Sequence, residues 1–337
     1  PSFATLNSPV SLNVMRMYFC EPWRVRLSIA FWMGSSMILK SAGEITAFSA
    51  LHASLPVLSS GRKARPSVST GLALSLAQQG HKVGILDIDI TGPNVPKMMG
   101  LDGRRLHVEE GRIHPAQGHL GVKVISMAFL LDDDDTPVVW RGPIKLGAIQ
   151  QFIGDVEWGD LDYLVIDFPP GTSDEPLTVA QSLPDIDGMV IVTTPQDVAL
   201  LDSRKSIGFA ESLKVPVLGV VENMSGYTLH GRAPAGTEVQ IAGPGGRTHS
   251  ATADGDGAFQ VTLDLFKQGG GAATAEEFGI PFLGALPFDP GFVRGGDDGV
   301  HRIVSDPEGA ASVAFADVVA AIQAQIGQSG GTGLEIV

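Results

Sequence analysis

From residue 57 onward, short apolar runs rich in β-branched residues alternate with segments of helical period, a pattern that few folds accept. The runs predict strands over 82–88, 122–129, 162–166, 188–194, 215–222 and 281–286. Helical spacing between and after them predicts helices over 67–79, 143–153, 197–213, 271–278 and about 307–326. The strand runs are continuously apolar instead of alternating with polar residues, so both of their faces must be covered. An α/β fold follows: a doubly wound, mostly parallel sheet with helices on both faces.

One stretch breaks the rhythm. Residues 228–263 are rich in Gly, Thr and Ala and end in the alternating Phe259, Gln260, Val261, Thr262, Leu263, which reads as an inserted loop with a β-hairpin. Within it, Asp254 and Asp256 have the spacing that opens a calcium loop, but the later ligands and the closing Glu are missing. A plain turn is therefore expected. Residues 1–54 carry no assignable pattern, the folded domain is expected over 55–326, and 327–337 reads as a flexible tail. The first residue is Pro1 and not Met, as in a fragment or an imperfect gene model. The apolar stretch 27–39 is broken by Ser and Gly and falls short of the roughly 18 residues a membrane span needs. With 37 acidic against 23 basic residues, the net charge of −14 argues against a general nucleic-acid binder. A single cysteine, Cys20, excludes an intrachain disulfide and a cysteine metal cluster within one copy.

Two strand ends carry the chemistry. The run 83–90 delivers Asp87 and Asp89 at its C-terminal end, where ligands bind in open α/β sheets. On an extended strand these two acids share a face, so they could hold a water-coordinated cation or orient a water. The run 163–166 ends in Asp167 and continues Phe168, Pro169, Pro170, Gly171, Thr172, Ser173, Asp174. An apolar strand ending in a single acid is the Walker B pattern, whose carboxylate holds Mg²⁺ directly or through water.

With these segments in place the sequence resembles the deviant-Walker P-loop ATPases of the MinD and Mrp group, and within it the eukaryotic cytosolic iron–sulfur scaffold ATPases of the Nubp type. The matching segments are 86–101 (LDIDITGPNVPKMMGL), 139–143 (VWRGP), 158–175 (WGDLDYLVIDFPPGTSDE), 192–202 (VTTPQDVALLD), 216–227 (PVLGVVENMSGY), 264–271 (DLFKQGGG) and 279–289 (GIPFLGALPFD). The resemblance implies a P-loop NTPase that binds ATP with Mg²⁺. In such a protein Asp89 would orient the hydrolytic water, Asp167 and Asp87 would organise Mg²⁺, and Asn223 would meet the adenine. It further implies a cytoplasmic dimer, with itself or a paralogue, that carries a [4Fe–4S] cluster to apo iron–sulfur proteins, without nucleic-acid or membrane partners.

Two departures fall where such proteins work. The phosphate loop would lie at 59–67, with Gly61, Lys63, Arg65 and Ser67 as cofactor-binding candidates, and Arg65 and Pro66 stand where the family has its lysine and magnesium-binding hydroxyl. A phosphate cradle needs successive inward N–H groups at a helix N-terminus, and Pro66 has none. Both a reading-frame disturbance and a degenerate loop account for this. The family's Cys-x-x-Cys would follow Tyr227, where the foreign insert begins instead, with His230 and His249 as its only nitrogen donors of the imidazole type. The expectation is a retained fold with weakened loop-dependent catalysis and cluster binding. The alternative is a non-catalytic module that dimerises with an intact paralogue.

Overall fold

Alternate residues of the parallel central strands bury against different sets of helices, as a sheet covered on both sides requires. The structure is a computed structural model that describes residues 35–38, 68–89, 94–130, 142–169, 174–183, 186–242, 247–265 and 268–329. Its strands are β1 (Ser35–Ile38), β2 (Val83–Asp87), β3 (His107–Glu109), β4 (Arg112–His114), β5 (Ala116–Gln117), β6 (Lys123–Ser126), β7 (Tyr163–Asp167), β8 (Gly188–Thr193), β9 (Val217–Glu222), β10 (Tyr227–Arg232), β11 (Glu238–Ala242), β12 (Thr248–Thr252), β13 (Ala258–Leu263) and β14 (Phe282–Ala285). Its α-helices are α1 (Val68–Gln78), α2 (Val95–Met98), α3 (Gly142–Gly154), α4 (Asp174–Ser182), α5 (Asp197–Leu213), α6 (Gly270–Phe278), α7 (Pro290–Asp298), α8 (Arg302–Ser305) and α9 (Ala310–Ser329).

The main sheet has the order β14-β9-β8-β1-β7-β2-β6-β5. Every pairing among β14, β9 and β8, and among β7, β2 and β6, is parallel. The short β1 lies antiparallel between β7 and β8, and β5 runs antiparallel on β6. On one face Ile85, Val165, Val190 and Val221 pack with Leu72 and Leu76 of α1 and Phe315, Val318 and Ile322 of α9. On the other, Leu86, Ile166, Ile191 and Val220 pack with Ile149 and Phe152 of α3, Val179 of α4 and Ile207 of α5. Each such side chain, fully buried, contributes roughly 1.5–3 kcal/mol. A Cβ on Gly71 would lie 2.4 Å from the Phe315 ring, so the glycine lets α1 and α9 close on each other. By length and composition α9 could cross a membrane, but its buried Phe315, Val318, Val319, Ile322 and Ile326 belong to the core.

The structure corrects four sequence expectations. The strand expected over 122–129 ends at Ser126, because the Ser126 hydroxyl accepts the Ala128 N–H (3.1 Å) and turns the chain into a 3₁₀ segment, Met127–Leu130. The insert is two nested hairpins, not one: β10 pairs with β13 and, inside them, β11 with β12. The last helix continues through Ser329 into the expected tail, since no proline interrupts it; 330–337 lie outside the described residues. A strand also occurs in the patternless segment 1–54, at Ser35–Ile38, four residues being too short a run for periodicity to speak.

Candidate functional site

At the C-terminal ends of β2, β7 and β6, register brings three polar side chains into one row. Asp87 is the Cα partner of Asp167 on one side and of Ser126 on the other. The period of two that points Ile85, Val165 and Val124 toward the α1 side points these three the same way. The Ser126 hydroxyl donates to Asp87 Oδ2 (2.8 Å), and the Asp89 N–H donates to Asp87 Oδ1 (3.1 Å). Asp87 is fully buried, and burial, with the Asp89 charge adding to it, pushes its pKa up to about 8 against the pull of those hydrogen bonds. Asp167 is likewise raised well above the carboxylate range, by burial first and then by Asp87 and Asp89, with a hydrogen bond from Ser69 opposing. Its Oδ1 is buried and has no hydrogen-bond partner among the described residues. Two carboxylates that resist ionising together, one with an orphaned oxygen, make a site whose electrostatics favour a hard divalent cation.

The first turn of α1 faces this row. Ser69 and Thr70 are both buried, and Ser69 is the hydroxyl that reaches Asp167. Thr70 ties α1 to the C-terminal helices. His301 Nδ1 accepts the Ile303 N–H (3.3 Å), so its proton lies on Nε2, which donates to Thr70 Oγ1 at 3.2 Å. Burial, with His119 adding to it, lowers the His301 pKa to about 3, and the Phe292 ring meets its edge. The sign follows: a histidine that protonates near 6.5 when unfolded but near 3 when folded contributes full stability above about pH 6.5 and loses it as pH falls toward 3. Between wild type and His301→Asn, the difference in urea-unfolding free energy should shift by about 1.4 kcal/mol per pH unit over that window. A difference independent of pH would contradict the buried neutral imidazole.

A second cluster ends β9. The Asn223 N–H bonds Thr193 O (2.7 Å), and its Oδ1 accepts the Met224 N–H (2.9 Å). Beside it Glu222, buried to 1% exposure, receives Ser225 Oγ (2.5 Å) and the Gly269 N–H (3.1 Å) on Oε1 and the Gly271 N–H (2.7 Å) on Oε2. The sequence expectations missed Glu222, although an acid closing an apolar run is the same signal that marked Asp167. They also missed the largely buried Lys145–Glu175 pair (3.3 Å) that joins α3 to α4.

The remaining candidates are not gathered into these clusters. Gly61, Lys63, Arg65, Ser67 and Cys20 lie outside the described residues. Asp254 Oδ1 accepts the N–H groups of Asp256 (3.0 Å) and Ala258 (2.9 Å), the geometry of a self-closed turn. His230 on β10 and His249 on β12 sit on different hairpins. The insert, with no thiol, does not fit thiolate ligation of an iron–sulfur cluster.

Comparison with known proteins gives concordant results. Residues 59–255 match the family described as "ParA: NUBPL iron-transfer P-loop NTPase". The iron-sulfur cluster carrier protein of Saccharolobus solfataricus is 43% identical over 251 residues, covering 74% of this chain and 76% of its own. The cytosolic Fe-S cluster assembly factor CFD1 of Kluyveromyces lactis is 42% identical over 249 residues, covering 72% and 78% respectively. Among solved structures, a nucleotide-binding protein of Archaeoglobus fulgidus in complex with ADP superimposes with a TM-score of 0.52 at 34% identity, over 72% of this chain and 82% of that one.

Proposed function

Because this chain belongs to the NUBPL-type iron-transfer branch of the ParA P-loop NTPases, we propose that it works as a nucleotide-dependent iron–sulfur scaffold or carrier. Its nucleotide site is then the row at the ends of β2, β7 and β6. The observation that carries this reading is the pair of in-register, buried carboxylates with an orphaned Asp167 Oδ1. Mg²⁺, when bound, offsets the negative charge of the nucleotide phosphates. Asp167 and Asp87 hold it, Ser69 and Ser126 fix their carboxylates, Asp89 orients the attacking water, and Asn223 meets the adenine. The protein acts in the cytoplasm as a dimer in the assembly of iron–sulfur proteins, and its own cluster binding is weakened or lost, since the insert supplies no thiolate. ATP binding is weak, since Pro66 removes a backbone donor from the phosphate loop.

Phosphate release from MgATP tests the reading. Turnover is expected at roughly a tenth or less of that of a loop-intact carrier, and Asp89→Asn should remove it. Turnover equal to the loop-intact carrier would refute a weakened loop, and turnover unaffected by Asp89→Asn would refute the assigned role.

One observation favours a second reading, a non-catalytic subunit paired with an intact paralogue: the sequence holds one cysteine, and the insert none. Copurification with a cysteine-bearing paralogue without nucleotide binding would support it over the first.

A further inference from the structure

We infer that Glu222 is a positioning residue that fixes Asn223 for base recognition by tying both roots of the insert to one buried carboxylate. The inference rests on the nucleotide site proposed above and names what sets its base contact. The chain leaves the sheet at β9, passes Ser225 into the nested hairpins, and returns at Gly269 into α6. Glu222 holds both ends: Ser225 Oγ and the Gly269 N–H on one oxygen, the Gly271 N–H on the other. It thereby serves α6 as an N-terminal cap from outside the helix, where the N-cap residue Gly269 has no side chain to do so.

The turn it holds is strained. Met224 has φ +57° and Gly226 φ +78°, and a non-glycine residue in that region persists only where its surroundings impose it. The surroundings here are few and specific. The Ser225 N–H bonds Leu286 O (2.9 Å), the Leu286 N–H bonds Glu222 O (2.7 Å), and the Gly226 N–H closes on Met224 O (3.1 Å). Within this frame Asn223 spends its Oδ1 on the Met224 N–H. Its amide NH₂, with no hydrogen bond among the described residues, remains as the donor that can read a base edge. A carboxylate is needed for this arrangement, because all three groups facing Glu222 are donors. A glutamine would set its own NH₂ against one of them.

The test is calorimetric titration of the full chain with MgADP and, separately, with magnesium pyrophosphate, which shares the phosphates and lacks the base. Glu222→Gln should weaken MgADP binding about tenfold and leave pyrophosphate within about twofold. Ser225→Ala, which removes one of the three bonds and spares the helix cap, should weaken MgADP several-fold in the same selective way and decides the matter if Glu222→Gln does not fold. Unchanged MgADP affinity in a folded variant, or equal loss for both ligands, would overturn the inference while leaving the nucleotide site intact. A wild-type protein that binds pyrophosphate no worse than MgADP would overturn the base contact at Asn223 and the inference with it. Failure of the wild type to bind either ligand would overturn the nucleotide site itself.

Discussion

Asp87→Asn should raise the thermal unfolding midpoint of the nucleotide-free protein and abolish its response to magnesium nucleotide. Among the described residues Asp87 has no cationic partner; its stabilisers there are one hydroxyl and backbone N–H groups, and two further acids crowd it. With a folded pKa of about 8 and an unfolded value near 3.8, the native state holds a proton that the unfolded state releases. Stability therefore falls as pH rises from about 4 to about 8, opposite in sign to the His301 effect. An amide at 87 keeps an oxygen for the Asp89 N–H or Ser126 and carries no charge to desolvate. At pH 7.5 the expected gain is on the order of 2–4 kcal/mol. Scanning calorimetry with and without MgADP checks both halves. An unchanged or lowered midpoint would show that the carboxylate is not under electrostatic stress, and a retained MgADP shift would remove Asp87 from the cation site.

Gly219→Ala should destabilise the fold by about 3 kcal/mol or more. Gly219 lies mid-strand in β9 at φ +148°, and a Cβ there would stand 2.4 Å from Pro281 O and 2.8 Å from Leu283 Cγ. The Pro281 carbonyl cannot simply retreat, since it accepts the Val220 N–H (2.9 Å) where β14 joins the sheet. Urea unfolding of the variant measures the loss. A cost below about 1 kcal/mol would mean that β14 is held loosely enough to shift.

The sheet was legible because burial on two faces writes itself into composition: β2, β7, β8 and β9 fall within a residue or two of the apolar runs. Where a polar side chain intervenes the pattern misleads, as at Ser126, whose hydroxyl ends a strand that hydrophobicity alone would extend. α7 escaped the periodicity argument, although its start was written in Asp289-Pro290, whose Asp Oδ1 accepts the Gly291 N–H (2.6 Å). The site was half legible. Asp87 and Asp167 were recognisable as strand-end acids, but spacing along one strand paired Asp87 with Asp89. The cross-strand relationship with Ser126 and Asp167, which adds to the one with Asp89, depends on crossovers some forty and eighty residues long. Glu222 illustrates the same limit, because its partners Gly269 and Gly271 lie beyond the insert and look, in sequence, like an ordinary glycine-rich turn.

In the proposed function the in-register carboxylates hold the magnesium of a bound nucleotide. Isothermal titration of the wild-type chain with ADP, once with Mg²⁺ and once with a chelator, tests it most directly. A dissociation constant in the range of roughly 10–100 μM with Mg²⁺, weakened at least about tenfold by the chelator and by Asp167→Asn, is the predicted result. Equal affinity with and without Mg²⁺, or an Asp167→Asn variant that binds as the wild type does, would contradict it.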